Sequence, residues 1–330
     1  MTVIDARVLA IFCTHGGRVA AARAAFGEGG GDGEGGGDWI DLSTGIAPWG
    51  WPVDGLPLGL DRLPEPDAIA MLEAAAARTF GVGDPGGVVA VPGTDLALRL
   101  LARLLPADRA AVLHPGYAGH RAAWPDAQPV ADLPTPDTDL FVLASPANPD
   151  GRVTDPATLR ALAGRMTVVV DEAYADPDPG LCPYACDRLV VLRSFGKFHG
   201  LPGVRLGFVV TGPDVAARLR GMIGDWPVSG PAVAIGTAAY ADGNWRHGQQ
   251  ARIAETGRML DDVLAAAGIA VVGTASLFRL VACREDLFET LARHAILTRP
   301  FADRPDRLRI GLPRGCAALT RLANALEVRR

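Results

Sequence analysis

Six apolar runs recur along the chain: VVAV (88–91), AAVL (110–113), LFVLA (140–144), TVVVD (167–171), RLVVL (188–192) and VRLGFVV (204–210). None alternates apolar with polar residues, and helical stretches or turns separate them. A strand that is apolar on both faces must be covered on both faces, which describes a largely parallel α/β sheet between layers of helices. In open sheets of this kind ligands bind beyond the carboxyl ends of the strands. Thr94, Tyr117, Asn148, Asp171, Ser194 and Lys197 follow these runs and are expected to converge on one crevice.

At roughly 150 residues per domain, 330 residues suggest two domains. Helical patterns are expected at 67–80, 95–104 and 155–163. Near the start, residues 18–26 have helix-forming composition and run into GEGGGDGEGGGD, whose backbone entropy no packing recovers, so 27–37 reads as a flexible loop. Residues 39–42 read as a short strand before the irregular STGIAPWGWP. Beyond about 215 the texture shifts to Ala/Arg/Leu-rich helices and short strands. The expected organisation is an N-terminal arm with its glycine-rich loop (1–50), a large α/β domain carrying the mostly parallel sheet (51–212) and a smaller α+β C-terminal domain (213–330).

A formal charge of −5 without any basic run leaves no electrostatic footprint for nucleic acid or an anionic membrane, so the expected partner is a small molecule. No stretch reaches the roughly 20 apolar residues of a membrane span. Five cysteines, odd in number and without a C-x-x-C pair, fit a reducing cytoplasm. Cys182 and Cys186 are spaced for half a metal site, but no second pair follows and no metal is expected.

Lys197 is the only lysine in the chain, among thirty-two residues of the Lys/Arg class. A drift toward arginine that spared one position implies that an amine is needed there, and Schiff-base chemistry needs a nucleophilic amine. By itself S-F-G-K also describes a surface lysine. Asp171 ends an apolar run and Tyr174 follows three residues later. A pyridoxal phosphate ring needs an anion beside its pyridinium nitrogen and hydrogen bonds at its phenolic oxygen, roles that Asp171, Tyr174 and Asn148 can fill. Asp171 as a helix cap and Asn148 as a turn residue are the plain alternatives. Thr94 opening a helix, the Ser194 hydroxyl and Arg205 offer donors to a phosphate. Tyr117 can stack on a ring or simply fill the core.

Taken in order, HGGRVAAARAAF, WIDLSTGIAPWGWP, VVAVPGTD, VLHPGYAGHRAAW, SPANPDGR, VVVDEAYAD, VLRSFGKFHGLPGVRLGF, WPVSGPAVAIG and LFRLV…RPF…LRIGLP resemble the fold-type-I pyridoxal-phosphate enzymes of the class I/II aminotransferase superfamily, and within it the threonine-phosphate decarboxylases of cobalamin biosynthesis. The resemblance implies that Lys197 holds the cofactor covalently, that Asn148, Asp171 and Tyr174 address its ring, and that Thr94, Ser194 and Arg205 hold its phosphate. It further implies the fold-type-I architecture, with a mostly parallel, seven-stranded type of sheet in the large pyridoxal-phosphate-binding domain, and a homodimer with each site at the interface. Arg309 matches the arginine that forks onto a substrate carboxylate. His15 in the HGG segment, Gly45 in STGI and Arg299 as a second cation are expected to contact the substrate, a histidine at a helix start being the plain alternative for His15. The implied reaction is decarboxylation of L-threonine O-3-phosphate. An aminotransferase acting on a phosphorylated substrate such as histidinol phosphate is the alternative, and a non-catalytic pyridoxal-phosphate-binding regulatory module is a second. The chain departs from the pattern at Ala47, Ala147 and Asp95, where Asn, Asn and Gln are common.

Overall fold

The computed structural model describes residues 5–27, 38–283 and 286–327; of the expected glycine-rich loop, 28–37 lie outside the described residues. Helices α1 (Ala6–Thr14) and α2 (Val19–Phe26) precede the short strand β1 (Ile40–Asp41). There follow α3 (Pro66–Thr79), β2 (Val88–Val91), α4 (Thr94–Leu104), β3 (Ala110–Leu113), α5 (Ala118–Ala123), β4 (Gln128–Val130), β5 (Leu140–Ala144), α6 (Pro156–Ala163), β6 (Thr167–Asp171), β7 (Leu189–Ser194), α7 (Phe195–Phe198), β8 (Gly207–Val210), α8 (Pro213–Ile223) and α9 (Gly230–Ala241). The long α10 (Gly243–Ala266) leads into the hairpin β9 (Val271–Ala275) and β10 (Phe278–Ala282), then α11 (Leu287–Arg293), β11 (Ile296–Leu297), β12 (Arg299–Pro300), β13 (Arg307–Gly311) and α12 (Gly315–Glu327). Packing divides the chain into Gly50–Gln249 and a second unit made of Met1–Trp49 with Gln250–Arg330.

The larger unit is built on a seven-stranded sheet in the order β2-β8-β7-β6-β5-β3-β4. All strands are parallel except β8, which runs antiparallel to both neighbours. Because side chains alternate between faces, each doubly apolar strand feeds two cores. Val88, Ala90, Val168, Val170, Phe208 and Val210 pack with Leu72 of α3, Leu159 of α6 and Val233 of α9. Val89, Val91, Val169, Leu192 and Val209 pack with Leu98 and Leu101 of α4 and Leu219 of α8. Burying each of these Val, Leu and Phe side chains is worth about 1.5–3 kcal/mol. The same packing explains why this unit runs to Gln249 and not to the expected 212: α8 and α9 cover the large sheet, and their composition does not disclose which sheet they cover.

Local signals fix the helix ends. Asp155 accepts from the amides of Ala157 and Thr158, with Pro156 in the first turn, and Ser229 caps α9 by accepting from Ala232. Asp5, which interrupts the apolar N-terminal stretch, caps α1 through the amide of Arg7.

In the other unit β12-β13-β10-β9 form an antiparallel sheet and β1 pairs in parallel with β11. Arg279 on β10 grips Asp261 of α10 with two hydrogen bonds of 2.6 and 3.0 Å. Gly257 makes room, since a Cβ there would stand 2.7 Å from the guanidinium. Phe12, Phe26, Trp39 and Phe288 form an aromatic cluster around α1 and α2.

Candidate active site

The sheet direction places the carboxyl ends of β2, β3, β5, β6 and β7 along one edge of the larger unit. Antiparallel β8 starts at that same edge, with Gly207 opposite both Val91 and Ser194. Arg205, two residues earlier and in the left-handed region (φ 56, ψ 49), therefore arrives where β2 and β7 end. Two glycines make the meeting possible. A Cβ on Gly93, whose φ is +92, would lie 2.6 Å from Arg205 Nη2, and one on Gly207 would lie 3.0 Å from the Thr94 amide nitrogen. The guanidinium thus sits against the first turn of α4, where unpaired amides and the helix dipole already favour an anion. Ser194 immediately precedes α7 without capping it through its side chain.

Three residues on, Lys197 Nζ lies 5.5 Å from the centre of the Tyr174 ring. Asp171 ends β6 opposite Ala144, and the turn carrying Asn148 leaves β5 beside it, the Ser145 amide donating to the Asp171 carbonyl. The buried Asp171 carboxylate accepts from the Ala173 amide (3.1 Å) and faces His120 Nε2 at 3.1 Å. His120 is sealed from solvent on α5, its ring edge-on to Tyr117. The Tyr117 hydroxyl donates to Asp95 (3.1 Å), and burial followed by that carboxylate pushes its pKa far up, so it stays a neutral donor. Asp95 itself pairs with Arg99 one turn later.

In the smaller unit a second set gathers at Ser43. The Gly17 amide donates to Ser43 Oγ (2.8 Å), and a Cβ on Gly16 would fall 2.5 Å from the Ser43 carbonyl oxygen, so the His15-Gly16-Gly17 turn lies directly on this serine. Ser43 is oriented by Asp41, which accepts from its hydroxyl and its amide. The same Ser43 carbonyl accepts from Arg309 Nη2, and Arg309 is buried over the Phe278 ring. Arg299 stands directly across from Arg309 in the β12–β13 register. It donates to the carbonyls of Phe12 and Thr14 at the end of α1, and burial, then the charge of Arg309, lower its pKa to about 10. His15 is exposed at the end of α1, and Gly45 takes φ +60 two residues beyond Ser43.

The model of the aminotransferase class I and II family matches residues 125–326. A threonine-phosphate decarboxylase of Pseudomonas aeruginosa is 37% identical over 312 residues, covering 88% of this chain and 91% of the relative. The chain belongs to the class I and II aminotransferase family. A threonine-phosphate decarboxylase of a Sinorhizobium species is 38% identical, with 94% and 97% covered. Among solved structures, a histidinol-phosphate aminotransferase of Sinorhizobium meliloti in complex with pyridoxal-5'-phosphate superposes with a TM-score of 0.77 at 21% identity, covering 94% of this chain and 95% of that one. The L-threonine-O-3-phosphate decarboxylase of Porphyromonas gingivalis gives 0.66 at 20%, covering 87% and 98%. Both share the aminotransferase fold.

The larger unit therefore brings together Thr94, Tyr117, Asn148, Asp171, Tyr174, Ser194, Lys197 and Arg205, and the smaller one His15, Gly45, Arg299 and Arg309. Sequence reasoning passed over His120 and Ser43. The signal for Ser43 was the STG turn itself; for His120 it was a polar residue three positions after Tyr117 on the inward face of a short helix. Asp95, expected only as a departure from the family pattern, has a visible task in holding the Tyr117 hydroxyl.

Proposed function

We propose that this chain is a pyridoxal-phosphate-dependent carboxy-lyase that converts L-threonine O-3-phosphate to (R)-1-amino-2-propanol O-2-phosphate, the side-arm precursor of cobalamin, and that it works as a cytoplasmic homodimer. The residues of the larger unit fit the cofactor. Arg205 pressed against the α4 N-terminus is a cradle for a phosphate that a Cβ at Gly93 would fill, and Ser194 adds a hydroxyl. Asp171, fixed by His120 and the Ala173 amide, is a carboxylate suited to a pyridinium nitrogen, and Tyr174 and Asn148 suit a phenolic oxygen. When bound, pyridoxal phosphate supplies an electron sink for the pair released when a bond at Cα breaks. Lys197 supplies the amine that binds it and then carries the proton to Cα. Tyr117, its hydroxyl tied to Asp95, would offer an aromatic face to the ring.

The observation that carries the substrate assignment is at Ser43, which binds the His15-Gly16-Gly17 turn through its hydroxyl and Arg309 through its carbonyl. A carboxylate-binding arginine and a His-Gly-Gly turn packed on Ser43, joined through that one residue, suit a substrate that carries both a carboxylate and a phosphate. Threonine phosphate has both; histidinol phosphate has no carboxylate. Arginines directly opposite each other repel, which favours an anion beside Arg299 and Arg309. Support for the dimer comes from exposed Leu60, Leu63, Met71 and Trp226 on the larger unit, where the 58–59 backbone lies against Gly230 at the start of α9. Five free thiols fit a reducing compartment.

The test is incubation of the holoenzyme with threonine phosphate, measuring carbon dioxide and aminopropanol phosphate, beside threonine and beside histidinol phosphate with a 2-oxo acid. Carbon dioxide from threonine phosphate alone is expected. Amino transfer in place of carbon dioxide release would replace the lyase by the aminotransferase, and cofactor binding without any turnover would leave the regulatory module.

A further inference from the structure

Arg193 sits on β7 one residue before Ser194, so it projects from the opposite face of the strand. It is sealed from solvent, with Phe80 packed 4.8 Å beneath the guanidinium. Nη1 donates to Glu172 Oε2 (3.0 Å) and to the Pro179 carbonyl (3.3 Å), and Nη2 to Asp176 Oδ1 (2.6 Å) and the Asp178 carbonyl (2.8 Å). All four acceptors lie in the loop 172–179, and Tyr174 lies between the two carboxylates.

Glu172 closes that loop from its far end, Oε1 accepting from the Leu181 amide at 2.8 Å. Gly180 is glycine for the same reason: its φ is +58 and a Cβ would stand 2.4 Å from Glu172 Oε2. Burial raises the Glu172 pKa and the Arg193 charge opposes the rise.

A buried ion cluster is weak evidence for stability, because desolvating the charges offsets most of their attraction. What a planar guanidinium does provide is geometry, four directed bonds that a lysine ammonium cannot reproduce. β7 also leads directly to Lys197, whose Nζ faces the Tyr174 ring. One strand thus sets both the lysine and, through Arg193, the tyrosine.

We infer that Arg193 is the positioning residue for Tyr174, its guanidinium holding the 172–179 loop so that the tyrosine hydroxyl meets the cofactor's phenolic oxygen. This rests on the cofactor reading above. A hydroxyl donating to that oxygen favours its anionic form, so displacing the hydroxyl makes the bound cofactor hold its proton more tightly.

The experiment titrates the cofactor absorption band of the holoenzyme against pH in the parent, Arg193→Lys, Asp176→Asn and Tyr174→Phe, and in Arg193→Lys and Asp176→Asn each combined with Tyr174→Phe. Amide hydrogen exchange is followed in the apoproteins. Each single variant is expected to raise the midpoint, by about one unit for Tyr174→Phe, and neither combination should exceed Tyr174→Phe alone, because coupled residues are not additive. Exchange should rise about tenfold within 172–181 and stay unchanged in the sheet.

Arg220→Lys, which weakens an arginine that donates to Glu73 and the Val88 carbonyl away from this loop, should lower the Tm without moving the midpoint. Midpoints unmoved in both Arg193→Lys and Asp176→Asn, or shifts that add to that of Tyr174→Phe, would overturn the assignment while leaving the cofactor reading intact. If Arg193→Lys fails to fold, Asp176→Asn decides alone. A parent with no absorption band dependent on Lys197 would remove the cofactor reading, and this inference with it.

Discussion

Gly93→Ala separates two consequences of one methyl group. Gly93 adopts φ 92, ψ 149, a region open essentially to glycine, so alanine there costs about 1–3 kcal/mol of stability. The new Cβ would also stand 2.6 Å from Arg205 Nη2. Arg205 is exposed, so its guanidinium can swing aside, relieving the clash but abandoning the first turn of α4. Losing one charge-assisted hydrogen bond to a phosphate costs about 1.5–3 kcal/mol, which is roughly 10- to 150-fold in cofactor affinity. Spectral titration of the apoprotein with pyridoxal phosphate reads the affinity, and a thermal melt of the same apoprotein reads the strain. Gly83→Ala is the control, since its Cβ would meet nothing within 4 Å and its backbone is not in the positive-φ region. A Gly93→Ala protein with a lower Tm and unchanged cofactor affinity would refute the placement of Arg205 at the phosphate.

His120→Phe keeps the burial but removes the nitrogen facing Asp171, and should lower kcat about 10- to 100-fold; steady-state assays with unchanged kcat would make His120 a packing residue only. Arg309→Lys loses the planar fork and should raise KM for threonine phosphate roughly tenfold or more with a smaller change in kcat, whereas an unchanged KM would detach Arg309 from the carboxylate. His199, stacked between Phe195 and Trp245, is held by burial at a pKa of about 4 against an ordinary 6.5. The unfolded chain therefore takes up a proton that the folded one refuses, so stability falls as pH drops from about 6.5 to about 4, by about 3 kcal/mol at the end. Denaturant melts of His199→Phe across that window should show a flatter pH dependence than the parent, and equal slopes would disprove the burial argument.

Doubly apolar strands are legible because burial on both faces leaves no room for polar alternation, and six of the sheet's seven strands form where those runs are found; the seventh, edge strand β4, is short and largely exposed and carries no such run. Lys197 stood out because no other lysine competes with it, and its neighbours were readable because strand direction alone carries Thr94, Asn148, Asp171 and Ser194 to one edge. Residues whose importance lies in a partner distant in sequence were not readable in this way. Arg193 ends an apolar run like any polar boundary residue, and only folding brings it to Glu172 and Asp176, twenty-one and seventeen positions away. His120 reaches Asp171 across fifty-one positions and Ser43 reaches Arg309 across two hundred and sixty-six. The domain boundary was obscure for a related reason. The apolar faces of α8 and α9 say that each covers a surface, and the surface is identified only by Leu219 against Val209 and Val233 against Phe208, contacts between segments that carry no mutual signature in the chain. Spacing along the sequence reports the chemistry a residue type can perform; which partner holds that residue in place is a property of the packed sheet.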